Sequence, residues 1–371
     1  MNLLQKRTWI VLCIVWLVVQ LFWLFKFGIY REEEAVVYIN IASRIAQGDW
    51  NHSIHYWLYA GYISPLVFLK FIGLAFEWMY LVQLTLSFVA FVCFIRLLGL
   101  LKISVSAIVI GSLLYATSPI IQAWNSHLYT DGYFGSLVVI ALYFISRNPG
   151  ANFAAFFRLM LLLLFVCFTR PVGFLLIPVA IVYGYTSKVS RRRIYVMASM
   201  LLAFSIFVLY ALRHGNDFFY PKHNLDLNII CGLPSELKQY ETVPNDGKMS
   251  IITYFFSNPG LTVRLFFSRL IKSVWMTRPY FSTMHNMVIG VTCSIYYFLA
   301  LLGTVYAFRK KILNNLYIFF GMGIWLIPNI LLCADWHNRF MIPFTAFLLV
   351  VATLGIEFLL KRTGLQREAT K

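Results

Sequence analysis

Charge is scarce in this sequence, and negative charge most of all. Charged residues fill 12% of the 371 positions, and 14 Asp and Glu face 31 Lys and Arg. No basic block reaches six residues, so the net charge of +17 does not mark a nucleic-acid surface. Internal repeats and low-complexity tracts are also lacking, which leaves an inverted-repeat transporter without support. The six cysteines imply no disulfide framework, since Cys13, Cys93, Cys167, Cys293 and Cys333 lie in apolar runs and Cys231 alone lies in a polar loop. The N-terminus has no small-residue cleavage site, so Lys6-Arg7 before Trp9 to Phe25 reads as a retained anchor. The one sizeable polar region is 213–285, at about seventy residues enough for a cap but not for an independent soluble domain.

What is abundant is apolar surface. The chain is 60% hydrophobic, with 34 Phe, 22 Tyr and 10 Trp, which makes it an integral membrane protein. Apolar stretches recur at 9–25, 61–76, 78–99, 105–122, 133–146, 155–169, 171–187, 194–212, 286–308, 314–334 and 340–360. If 61–76 spans, Arg191-Arg192-Arg193 and Arg309-Lys310-Lys311 fall outside, against the charge rule. If 61–76 stays on one side, those bases become cytoplasmic with Arg96, Lys102, Arg147, Arg158 and the C-terminal tail. All seven histidines then lie outside, with Glu32 to Glu34, Asp49, Glu77, Asp131 and Asp335. That segment is also short for a crossing and carries Pro65 and Lys70. The expectation is one all-α transmembrane domain over 1–371. It has ten transmembrane helices, both termini inside, a first outer loop over 26–77 with a juxtamembrane helix, and a large outer loop over 213–285. In that loop, Ile251 to Met276 sets Arg264, Arg269 and Lys272 among apolar residues, as a basic amphipathic helix lying in the interface does.

Three polar clusters converge on the outer face in this arrangement. Glu32, Glu33 and Glu34 open the first loop, followed by Asp49 and the aromatics Trp50, Tyr56, Trp57, Tyr59 and Tyr62; adjacent acids are costly at a membrane edge unless used. As a plain alternative, acids favour the first turn of a helix. The second cluster is Ser126 to Tyr133, in which Asp131 fits a functional carboxylate or a helix cap. The third is Asp335-Trp336-His337-Asn338-Arg339, in which Asp335 and Arg339 also fit a local ion pair. Between two short apolar segments, Arg170 precedes Pro171 at the outer face, where it pairs with an anion or snorkels to the headgroups. Acids, rings and guanidinium groups around one cavity suit a sugar. His52 and His55 have ligand-like spacing but no third ligand.

In order along the chain these features resemble the GT-C glycosyltransferases, in particular the protein-mannosyltransferase and aminoarabinose-transferase type. The likeness is carried by Glu33-Glu34-Ala35 with Tyr38, Ala42 and Gly48, then Ser64-Pro65-Leu66, Ser118-Pro119, Thr130-Asp131, Arg170-Pro171-Val172-Gly173, and Arg339 with Pro343. It covers most of residues 1–200 and the last forty, and not 213–285. The first acid is Glu where that family commonly has Asp, which leaves Glu33 and Glu34 both open as the base. No large soluble domain follows the last span, so acceptor recognition falls to the loops.

The resemblance implies an inverting transfer from a polyprenyl-phosphate-linked sugar to an acceptor hydroxyl of a glycan, lipid or protein. It implies Glu33, Glu34 and Asp131 as catalytic acids. Arg170, Arg339, Arg278 and Lys70 are then phosphate contacts, while Trp50, Trp57, Tyr62 and His337 line the substrate sites. A divalent cation is compatible with the sequence but not required by it. The analogy places the enzyme in a bacterial inner membrane with its site on the outer side. The rival readings are a polymerase or ligase of lipid-linked polysaccharide and a lipid-linked-sugar flippase. The flippase fits less well, because charge is scarce in the inner halves of the spans.

Overall fold

The computed structural model describes residues 5–51, 54–147, 152–187, 189–214, 229–230, 259–310, 315–331, 333–334 and 337–363. Its elements are α1 (Lys6–Phe27), α2 (Glu34–Ala46), α3 (Ala60–Phe71), α4 (Met79–Leu100), α5 (Val105–Thr117), α6 (Thr130–Ser146), α7 (Phe153–Cys167), α8 (Leu176–Thr186), α9 (Arg191–His214), α10 (Pro259–Trp275), α11 (Thr283–Arg309), α12 (Leu316–Ile324) and α13 (Ile342–Arg362). Among the described residues, extended pairing is limited to two isolated bridges. The chain is therefore all-α. Five helices are long and apolar enough to cross a membrane, or six if α5 and the bent segment after it form one span. The other apolar helices, α3 among them, are shorter.

Burial is distributed as in a bundle surrounded by lipid. In α13, 89% of the most apolar window is buried, against 17% in α1. α13 is apolar on every side, as a central helix must be, and α11 packs along it. Gly303 and Gly355 set that approach: a Cβ at 303 would overlap the Val351 carbonyl, and one at 355 the Leu299 carbonyl. Close backbone contact of this kind holds membrane helices together where lipid removes the hydrophobic drive. Gly355→Val is expected to push the two helices apart and destabilise the protein by about 1–3 kcal/mol, read as a lower unfolding temperature in detergent. An unchanged unfolding temperature would show that the crossing is not tight.

Polar glue holds the bend. Pro119 disfavours helical backbone at Ser118, whose ψ is 112°, and the chain turns by 46° there. Gln20 of α1 donates to Gln122 Oε1 at 2.8 Å. Asn125 donates to Gln20, Ser87 and Gln122 at 2.9–3.0 Å, and Gln122 to the Tyr115 carbonyl at 2.9 Å. All four side chains are buried, and buried amides are tolerated when partnered in this way.

Several expectations take a different form. The amphipathic helix is α10, beginning at Pro259; 251–258 lie outside the described residues. It buries Thr262, Arg269 and Ser273 and turns Val263, Phe267 and Ile271 outward. Arg269 donates to the Leu331 carbonyl at 2.7 Å, so this base is used within the protein and not at the interface. Cys333 is disulfide-bonded, against the expectation of no disulfide: spacing alone cannot show that the 213–285 loop returns to it, as the Ile230–Ala334 bridge does. Cys231, Asp335, Trp336 and the side chains of His52 and His55 lie outside the described residues.

Candidate active site

The site is assembled by one bridge. Tyr30 pairs with His127: its N–H donates to the Ser126 carbonyl at 3.0 Å, and its carbonyl accepts from Leu128 N–H at 2.8 Å. This draws the glutamates of the first loop beside the turn that leads into α6. Glu33 is the residue before α2 and sits at φ 51°, ψ −117°, a conformation that costs a non-glycine residue of order 1–3 kcal/mol. Its carboxylate accepts a hydrogen bond from the Tyr129 hydroxyl at 2.8 Å and is otherwise open to solvent.

The other two acids are engaged by arginine. Glu34 receives both Nη atoms of Arg339, at 2.7 and 2.8 Å, the fork geometry that makes Arg–carboxylate pairs strong. Asp131 is fully buried and bonds Arg170, with its second oxygen 3.7 Å from Arg339 Nη1. The residue before α6 is Tyr129, and no side chain caps that end, so Asp131 serves the guanidinium and not a cap. Arg170 is 12% exposed. Burial opposes its charge, but the Asp131 carboxylate overrides this and holds the guanidinium above its usual pKa. Both guanidinium groups face the Phe340 ring, at 5.1 and 5.5 Å, and Arg339 also lies over Tyr129 at 5.7 Å. A glycine admits Arg170: Gly61 N–H donates to the Phe168 carbonyl at 2.7 Å, and a Cβ there would strike Thr169.

Beneath this cluster lie Tyr38, Tyr59 and Tyr62. Tyr62 is fully buried, packs edge-on against Tyr38 and Tyr133, and its hydroxyl has no partner among the described residues. Burial raises the Tyr38 and Tyr59 hydroxyls above their usual value, and Arg170 opposes the shift. The remaining candidates lie elsewhere. Arg278 is buried, and its Nη1 donates to the Lys272 and Thr277 carbonyls. Lys70 is more than two turns along α3 from Tyr62, over the Phe76 ring. Trp50 and Trp57 stack at 6.0 Å and line, with Ile41, Ile45, Ile63 and Val67, an apolar groove of ≈ 140 Å³ between α2 and α3. His337 lies 6.1 Å from Trp124 and 6.3 Å from Phe281. Asp49 pairs with Arg44 at 2.6 Å.

Sequence reasoning gave Tyr129, Tyr59 and Phe340 no role of their own, although Tyr59 stands among the aromatics of the first cluster and Tyr129 in the Ser126–Tyr133 cluster. Among the described residues no group of three His, Cys, Asp or Glu side chains is placed to hold a metal. The chain matches no family model, no curated protein and no solved structure.

Proposed function

We propose that this protein is an integral-membrane inverting glycosyltransferase that moves a sugar from a polyprenyl-phosphate donor to an acceptor hydroxyl outside the membrane. One observation carries the reading: four segments distant in sequence bring three carboxylates and two guanidinium groups together, and of these carboxylates only Glu33 has no cationic partner among the described residues. Glu33 is the base. It takes the proton of the acceptor hydroxyl as that oxygen attacks the anomeric carbon, and the bond to the lipid phosphate breaks with its electron pair. Glu34 and Asp131 hold Arg339 and Arg170 in place, and these stabilise the departing phosphate. The groove between α2 and α3 suits an isoprenoid chain. The test is incubation of purified protein with a panel of polyprenyl-phosphate sugars and detection of free lipid phosphate. No release from any donor would overturn the reading.

A polymerase or ligase acting on polyprenyl-pyrophosphate glycans is the second reading, favoured by His127, whose ring lies 5.8 Å from the Tyr129 ring that Arg339 covers. The same assay with that donor separates the two. The orientation belongs to the proposal as well: disulfides persist in oxidising compartments, and Cys333 is disulfide-bonded on the site's side of α13. Arg192 then lies in the cytoplasm. A cysteine placed there is expected to resist an impermeant thiol reagent in intact cells and to react after lysis; labelling of intact cells would invert the topology.

A further inference from the structure

Arg339 leaves the chain directly after a buried left-handed residue. Asn338 is 4% exposed and sits at φ 64°, ψ 10°. Met276, the fully buried residue after α10, is also left-handed, at φ 60°. The two are joined: Asn338 Nδ2 donates to the Met276 carbonyl at 2.6 Å. The far side of that bond is itself held. Arg278 N–H donates to Asn286 Oδ1 at 2.9 Å, and Asn286 Nδ2 donates to the Arg278 carbonyl at 2.8 Å, which ties the end of α10 to the first turn of α11. α11 in turn meets α13 at Gly303 and Gly355, and α13 begins three residues after Arg339. These contacts close a ring through the backbone from which the guanidinium extends.

Position 338 sets two demands, a positive φ and a short side-chain donor. Gly, Asn and Asp tolerate the first best. Gly has no side chain to donate, and ionised Asp has no hydrogen to give. Asn meets both. Its Oδ1 has no hydrogen-bond partner among the described residues, so the link runs through Nδ2. Both ends of that bond are buried, where water does not compete and a hydrogen bond is at its strongest. The opposite end of Arg339 is less secure. Glu34 grips it with both oxygens, but the Glu34 side chain is 40% exposed and solvent competes for such a pair. A cation that has to meet a developing charge within about 0.5 Å depends on locked neighbours.

We propose that Asn338 is a positioning residue for Arg339: its amide, bonded to the end of α10, sets where the guanidinium stands against Glu34 and the departing phosphate. The phosphate contact rests on the transferase reading, and the positioning does not. The test therefore reads Arg339 without donor, as its rate of modification by phenylglyoxal in purified protein in lipid nanodiscs. Mass spectrometry follows the modification, with Arg170 as internal reference. Asn338→Gly keeps the left-handed turn and removes the amide. It should speed modification of Arg339 by roughly 2–10-fold, the range that one hydrogen bond spans, and leave Arg170 at the parent rate. In transfer assays the donor KM of the same variant should rise by a similar factor. An unchanged rate at Arg339 would show that the backbone alone places it, and an equal rise at Arg170 would mark general loosening; either result overturns the assignment. Should the modification rates change as expected while no donor releases lipid phosphate, the transferase reading fails and the positioning role stands.

Discussion

Glu33→Gln is expected to reduce the turnover of sugar transfer by roughly 10²–10⁴-fold, the usual contribution of a positioned general base, with folding and donor affinity unchanged. The amide is isosteric and still accepts from Tyr129, whose hydroxyl stands 2.8 Å from Glu33 Oε2, but it cannot take a proton. Glu34→Gln should act differently. It removes one charge from a bidentate pair with Arg339, so the donor KM should rise along with the fall in rate. Backbone geometry adds a second readout. At φ 51° a glycine would be at ease, so Glu33→Gly is expected to be inactive yet more stable than the parent by about 1 kcal/mol. Strain held at a residue that chemistry needs is removed together with the chemistry. Normal turnover of Glu33→Gln would take Glu33 out of the mechanism.

The helices were legible in the sequence because their signal is length and apolarity. Predicted stretches such as 78–99, 286–308 and 340–360 overlap α4, α11 and α13 closely. The shortness of 61–76 was legible for the same reason, and α3 is only Ala60–Phe71. The number of crossings is a different matter, since α6, α7 and α8 fall short of the length that identifies a span. In the site, charge was visible as scarcity: Glu33, Glu34, Asp131, Arg170 and Arg339 attract notice in a chain that is 12% charged. Their pairing was not visible. Whether Arg339 reaches Glu34 or a neighbour depends on the turn at Asn338, φ 64°, and on a bridge between Tyr30 and His127 that no local pattern announces. The carbonyl bonds of Arg278 and Arg269 were hidden for a related reason. An arginine that donates to backbone carbonyls looks the same in sequence as one that faces lipid headgroups or a phosphate.

Asp131→Asn should be the most damaging single change to stability. Arg170 is 12% exposed and Asp131 is not exposed at all, so losing the carboxylate leaves a buried guanidinium facing Arg339 with less to neutralise it. Breaking a buried pair from one side costs about 3–5 kcal/mol, and in this protein that should appear as poor yield and a much lower unfolding temperature in detergent. Arg170→Gln alone leaves Asp131 near Arg339, at 3.7 Å, and should cost less. The double variant Asp131→Asn with Arg170→Gln removes both charges and should recover most of the stability, because a neutral pair does not carry the desolvation cost of the ions. Recovery of stability without recovery of transfer is the expected outcome, since the phosphate would still lack one of its two cations. Additive losses in the double variant would show that the two side chains do not depend on each other. A double variant that regained transfer would mean that Arg339 alone stabilises the leaving group.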